Sequence, residues 1–330
     1  MTSGSITNVA TVPQRSPFRY PGGKTWLVPE IRAWLRALPQ KPEVFMEPFA
    51  GGGAASLTAI FENLAHKAVM VERDEHVAAV WQVILEDADW LAEEILNFQI
   101  SLESVREVLS RDPESLRGKA FQAILRNRVQ RGGIMAPGAS LMKAGENGRG
   151  LSSRWYPQTL ARRIRSIYEF RQRITFFKAD AFDLIPEYLD NETTVFFIDP
   201  PYTAGGKRAG KRLYSYNEVD HEALFALMTR ARGDFMMTYD EAPEVEEMAA
   251  RHGFFTRKVP MKNTHHASLF ELLISPRPKS TVAVSCLSAF QTREVKQEHH
   301  PRVRAAKNRR SPGVKCKKER PYYSPMPKRY

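Results

Sequence analysis

Two cysteines in 330 residues, Cys286 and Cys316, cannot make a disulfide framework. Neither stands in a Cys-x-x-Cys pair or beside spaced histidines, which argues against a structural zinc site, and both are expected as free thiols. Long hydrophobic runs are missing too: no stretch approaches the roughly 18 to 20 apolar residues of a membrane-spanning helix. The opening residues Met1 to Asn8 have neither the basic flank nor the apolar core of a secretory signal, so a cytoplasmic location is the expectation. With 42% hydrophobic and 10% aromatic residues, the length suits one large globular domain or two modest ones, and no internal repeat is visible.

Acidic residues are scarce in only one region. Residues 277–330 hold 15 Lys plus Arg against 3 Asp plus Glu, a surplus equal to the +12 of the whole chain, so residues 1–276 are formally neutral. The segment is rich in Pro, Ser, Lys and Arg and has few apolar positions after Phe290, too little to offset chain entropy. A disordered basic tail is expected, serving solubility or non-specific phosphate contact.

Before position 277, short apolar runs alternate with helical periods, the pattern of an α/β sheet with crossover helices. Strands are expected at 44–46, 68–71, 174–177, 195–198, 235–238 and 269–274, several of them continuous apolar runs suited to burial on both faces. Helices are expected at 25–37, 54–63, 76–87, 90–98, 103–110, 116–129, 157–172 and 221–232. The glycine-rich, partly basic stretch 130–156 breaks this rhythm as a long loop. With it, residues 88–173 read as a mostly helical insertion. Arg126, Arg128, Arg131, Lys143, Arg149, Arg154, Trp155 and Tyr156 there would suit nucleic acid, and equally an ordinary solvated surface.

Three segments carry chemistry. Positions 44–57 read as a strand, a turn at Gly51-Gly52-Gly53 and a helix, so a nucleotide-like ligand can approach main-chain N–H groups at the helix start. About 20 residues on, the second strand ends at Glu72, placed to accept ribose hydroxyls, with Asp74 as the alternative. These two features do not separate a dinucleotide enzyme from one using an adenosine cofactor. Pro21-Gly22-Gly23-Lys24-Thr25 ends like a phosphate-binding P-loop, but that loop requires glycine where Phe18 stands and a preceding strand that is absent. The third segment is the apolar run Thr194 to Ile198 followed by Asp199-Pro200-Pro201-Tyr202. It delivers a carboxylate, a proline-fixed carbonyl and a phenol ring to the carboxyl edge of the sheet, where ligands sit. Acceptors beside a stacking face suit an exocyclic aromatic amine; the plainer alternative is a turn with a surface acid.

Taken together, the chain resembles the Dam-type (D12 class) DNA adenine-N6 methyltransferases from about Phe18 to Ile274. The resemblance is carried by Arg-Tyr-Pro-Gly-Gly-Lys at 19–24, Glu-Pro-Phe-Ala-Gly-Gly-Gly at 47–53, Val-Glu-Arg-Asp at 71–74, Asn-Arg at 127–128, Asp-Pro-Pro-Tyr at 199–202, Thr-Tyr-Asp at 238–240 and Glu-Leu-Leu-Ile at 271–274. It implies a Rossmann-like methyltransferase sheet with helices on both faces plus a mostly helical target-recognition insertion. Residues 1–87 and 174–276 would form the catalytic domain, 88–173 the insertion and 277–330 the tail. It further implies S-adenosylmethionine against Tyr20, Lys24, Glu47, Glu72, Asp180 and Asp199, with Gly51 and Gly53 beneath the methionine moiety. The partner would be double-stranded DNA, met by Asn127, Arg128, Arg131, Arg149 and Arg154, with no metal and no obligatory protein partner. Two departures stand out: Glu72 replaces the family's usual Asp, and the segment after Arg128 matches loosely and carries more glycine.

On this resemblance Asp199 and the Pro200 carbonyl would accept the two N6 protons of an adenine flipped from the duplex and stacked on Tyr202, favouring a nucleophilic nitrogen. Methylation of another planar amine (cytosine N4, an RNA base or a protein glutamine) would use the same logic. A nicotinamide-dependent dehydrogenase would share only the glycine turn and Glu72, and a non-catalytic DNA-binding protein only the basic tail.

Overall fold

The computed structural model describes residues 9–19, 23–135, 139–143, 148–201, 219–262 and 268–276. All of them fall within one compact unit, Met1–Arg277. The expected tail, Tyr20 and Tyr202 lie outside the described residues.

Seven strands form one sheet: β1 Val44–Glu47, β2 Lys67–Glu72, β3 Ile174–Lys178, β4 Thr194–Ile198, β5 Phe235–Asp240, β6 Phe255–Lys262 and β7 Ser268–Ser275. Their order is β3-β2-β1-β4-β5-β7-β6. The first five run parallel, and β7 enters antiparallel between β5 and β6. The chain winds one way from β1 through β2 to β3, then crosses back to lay β4 on the other side of β1. This is the Rossmann-like arrangement expected, and it opens a crevice at the carboxyl ends of β1 and β4.

Alternation along the strands sorts the two faces. Phe45 pairs with Ala68 and Val195, and with Phe197 and Met236 they face α1 (Val28–Ala37) and α2 (Ala54–Phe61). Met46, Val69, Phe196, Ile198 and Met237 line the other face. They pack there with α7 (Ala181–Tyr188), α8 (His221–Met228) and α9 (Pro243–Arg251). All five residues of β4 are buried, as two-sided coverage requires.

Helices α3 (Glu75–Asn97), α4 (Leu102–Ser110), α5 (Leu116–Val129) and α6 (Pro157–Glu169) pack together, α3 against both α5 and α6. Their apolar faces share one cluster with Ala68 and Met70 of β2, so these helices grow directly out of the sheet's core. The two helices expected at 76–87 and 90–98 are one helix bent at Asp87, whose φ of −149° and ψ of 52° leave the helical region. Helix α5 is enclosed nearly all round: Gln122, Asn127 and Arg128 are buried along with its apolar residues. Among the described strands and α-helices, three were not anticipated: β6, α7 and α9. No helix among the described residues is long and apolar enough to cross a membrane.

Candidate active site at the carboxyl edge of the sheet

The turn after β1 is shaped by close approach. Gly51 and Gly53 have φ of 46° and 63°, the left-handed region that favours glycine. A Cβ on Gly53 would stand 2.6 Å from Met70 Cε and 2.8 Å from Trp81 Cζ2. Trp81 in turn donates from Nε1 to the Gly51 carbonyl at 2.9 Å, so α3 pins the turn from below. Glu47, the last residue of β1, is buried and accepts from the Ser56 amide at 2.8 Å, fastening the first turn of α2. Burial pushes its carboxyl up to about 8, and the nearby Asp199 charge adds to the rise.

Glu72 stands where the spacing places it, at the end of β2. Its Oε2 accepts from the Gly51 amide at 2.9 Å and its Oε1 from the Asp74 amide at 2.8 Å, tying the second strand to the glycine turn. Burial raises it to about 7. The side chain is only partly buried, so the carboxylate can still take a hydroxyl. Asp74, the alternative, is instead the N-cap of α3, accepting from the His76 and Val77 amides. Asp180 follows β3, caps α7 through the Phe182 amide at 3.0 Å and meets Arg73 Nη1 at 3.0 Å.

Asp199 follows β4, and three elements hold it. Its Oδ1 lies 2.8 Å from Lys24 Nζ and accepts from Thr238 Oγ1 of β5 at 2.8 Å. Lys24 begins a 3-10 turn ahead of α1 and is buried; its ammonium also lies 3.0 Å from Glu271 Oε1 of β7. Burial lifts Glu271 to about 7, with the Asp199 charge adding and the Lys24 charge opposing. Among the described residues both Asp199 contacts fall on Oδ1, so Oδ2 is the oxygen facing a ligand in this reading of the site. Pro200 beside it is buried.

The fold therefore brings Lys24 and Asp199 into contact, joins Gly51 to Glu72, and sets Glu47 and Asp180 at the ends of the two strands that flank β2. Lys24 is committed to two carboxylates, so its geometry is that of a group positioning Asp199. Thr238 and Glu271 were given no role from sequence. The available signal was a lone acid inside the otherwise apolar run 269–274.

The residues expected to meet DNA divide. Asn127 is fully buried: Oδ1 accepts from the Arg19 amide at 2.8 Å, while Nδ2 donates to the carbonyls of Arg19 at 3.0 Å and Gly133 at 2.9 Å. Its amide is a clamp on main chain: both N–H donors are spent on carbonyls and the side chain has no exposed surface. Arg128 is 4% exposed and donates from Nη2 to the Pro17 carbonyl. Arg131 and Arg149 are exposed and Arg154 is half-buried.

A cofactor such as S-adenosylmethionine presents ribose hydroxyls and two cationic centres. The acids at the ends of β2, β3 and β4 beside the glycine turn, Glu72, Asp180 and Asp199, match that set of groups. The family model of D12 class N6 adenine-specific DNA methyltransferases matches residues 20–112, which contain Lys24, Glu47, the glycine turn and Glu72. No curated protein matches the chain. Among solved structures it is similar to an rRNA methyltransferase of Streptomyces viridochromogenes, at 14% identity over 78% of this chain and 86% of that one, TM-score 0.38. It is also similar to precorrin-6y C5,15-methyltransferase of Geobacter metallireducens, at 10% identity over 74% and 85% of the two chains, TM-score 0.32. At these scores the strand order defines the fold, and the two likenesses add no argument.

Proposed function

We propose that the chain transfers a methyl group from S-adenosylmethionine to N6 of an adenine flipped out of double-stranded DNA. The observation that carries this reading is Asp199, held through one oxygen at the switch point of the sheet beside a buried proline. The family match over residues 20–112 supports S-adenosylmethionine as donor and adenine in DNA as acceptor.

When bound, the cofactor supplies an electrophilic methyl on a sulfonium. The chain's own residues supply the rest. Lys24 and Thr238 fix the Asp199 carboxylate, so Oδ2 can accept one N6 proton while the Pro200 carbonyl accepts the other. That pairing draws the nitrogen lone pair out of the ring and toward the methyl, and the carboxylate stabilises the positive charge that develops. Glu72 takes the ribose hydroxyls, and the Gly51–Gly53 turn receives the methionine end. Tyr202 would stack on the base. Residues 88–173 would recognise the target, with Arg131, Arg149 and Arg154 meeting the duplex and Asn127 bracing them from the interior.

The test is methyl transfer from radiolabelled S-adenosylmethionine to duplex DNA, with nucleoside mass analysis of the product. N6-methyladenine is expected. Asp199→Ala should lower turnover at least about a hundredfold with DNA affinity within a few-fold of wild type. Near-normal turnover in that variant, or label on cytosine, RNA or protein alone, overturns the reading.

A further inference from the structure

Residues 14–19 run across the end of α5, the 3-10 turn Gly150–Arg154 and the start of α6. There Gln14, Arg19, Arg128, Arg154, Tyr156 and Arg163 line a cavity of about 240 Å³, and none of the described residues of its wall is acidic. Two of the guanidiniums are held by neutral groups. Arg163 Nη1 donates to the Ser16 carbonyl at 3.0 Å and Arg128 Nη2 to the Pro17 carbonyl, so both are oriented without loss of charge. Arg19 is fixed through its main chain by the Asn127 clamp.

Two buried donors, Arg19 Nη1 and Arg128 Nε, find no hydrogen-bond partner among the described residues. Buried donors are ordinarily satisfied, and a buried charge without a counter-charge is costly. Burial, with the charges of Arg163, Arg19 and Arg154 added, pulls the Arg128 guanidinium down to about 9. Burial and Arg154 lower Arg19 as well. An anion in the cavity relieves both costs together.

We propose that this cavity is a phosphate-binding subsite, sharing no residue with the site around Asp199. A planar carboxylate is satisfied by one forked arginine, whereas a phosphate accepts in every direction and suits four guanidiniums arriving from different elements. The cavity is smaller than the roughly 300 to 1,000 Å³ of sites that enclose whole small molecules, so it takes a single phosphate group. On the reading under Proposed function, the source is one backbone phosphate of the DNA, and its capture sets the register of the duplex without reading sequence. Free phosphate has the same chemistry, and the experiment separates the two.

The full-length protein is titrated with inorganic phosphate by calorimetry at low salt, alongside Arg163→Gln and Arg154→Gln, with circular dichroism to check folding. Arg154 is half-buried, so its variant keeps the comparison alive should Arg163→Gln not fold. Phosphate should bind the wild type and bind each folded variant about tenfold or more weakly. Equal binding by wild type and variants assigns the phosphate to other basic residues, such as those of 277–330, and overturns the proposal. So does absence of binding to the wild type. The second probe is duplex DNA carrying one neutral methylphosphonate at successive positions. A position that weakens wild-type binding but not that of the variants identifies the DNA backbone as the source. No such position, with the phosphate titration as expected, identifies free phosphate. A protein that methylates no adenine yet passes the titration loses the reading under Proposed function and keeps the subsite.

Discussion

Replacing Gly53 with alanine tests the turn that the candidate cofactor site is built on. Two costs can be read from the structure. At φ of 63° an alanine sits in the left-handed region, worth about 1 to 2 kcal/mol. Its Cβ would also meet Met70 Cε at 2.6 Å and Trp81 Cζ2 at 2.8 Å, and overpacking of this kind costs about 1 to 3 kcal/mol. Gly53→Ala should therefore destabilise by about 2 to 5 kcal/mol in urea unfolding, with an unchanged m-value. The two costs separate in a double-mutant cycle with Met70→Ala, which removes the nearer obstacle and leaves the backbone strain. The double variant should be more stable than the sum of the single losses allows, by about 1 kcal/mol or more. Strict additivity, or a Gly53→Ala loss under about 0.5 kcal/mol, would refute the claim that close packing shapes this turn.

Glu47 gives a pH signature. Its folded carboxyl is raised to about 8 from an ordinary 4.5, so the folded state keeps a proton that the unfolded chain releases. Stability from this group is complete below pH 4.5 and is lost as pH climbs to 8, by about 1 kcal/mol per pH unit. Glu47→Gln should flatten that slope in urea unfolding between pH 5 and 8; parallel curves for variant and wild type would show the slope arises elsewhere. Asn127→Ala removes three hydrogen bonds to buried main chain and should cost about 2 to 4 kcal/mol. Any loss of DNA affinity in that variant should track its loss of folded structure in circular dichroism, whereas weaker binding by a fully folded protein would return Asn127 to the interface.

Much of the fold was legible because two-sided burial leaves an unambiguous trace. Thr194 to Ile198 reads as a strand because every residue of it is buried. Strand β6 left no such trace: it lies at the edge of the sheet and carries Arg257, Lys258, Lys262 and Pro260, residues that suit an edge and blur any alternation. Helix α7 is short and contains Pro186. Helix α9 did advertise itself, through Pro243 in its first turn with Glu244 and Glu246 behind it.

At the site, the spacing that follows from a strand, a turn and a helix placed Gly51 and Glu72, which do touch. The link from Asp199 through Lys24 to Glu271 was not legible, since it depends on β7 lying beside β5 and on a turn before α1 folding under both. Asn127 shows the opposite difficulty. A polar side chain late in a helix reads alike whether it meets a base or a carbonyl, and only the enclosure of α5 decides between them.

The bridge between Lys24 and Glu271 also has a temporal meaning. A ribosome delivers the ammonium early and its second carboxylate only when the antiparallel strand emerges, close to the end of the sheet. Any nascent or truncated chain that stops short of that strand carries Asp199 in an unfinished setting. The contact that steadies the lysine beside Asp199 is therefore among the last that the sheet completes.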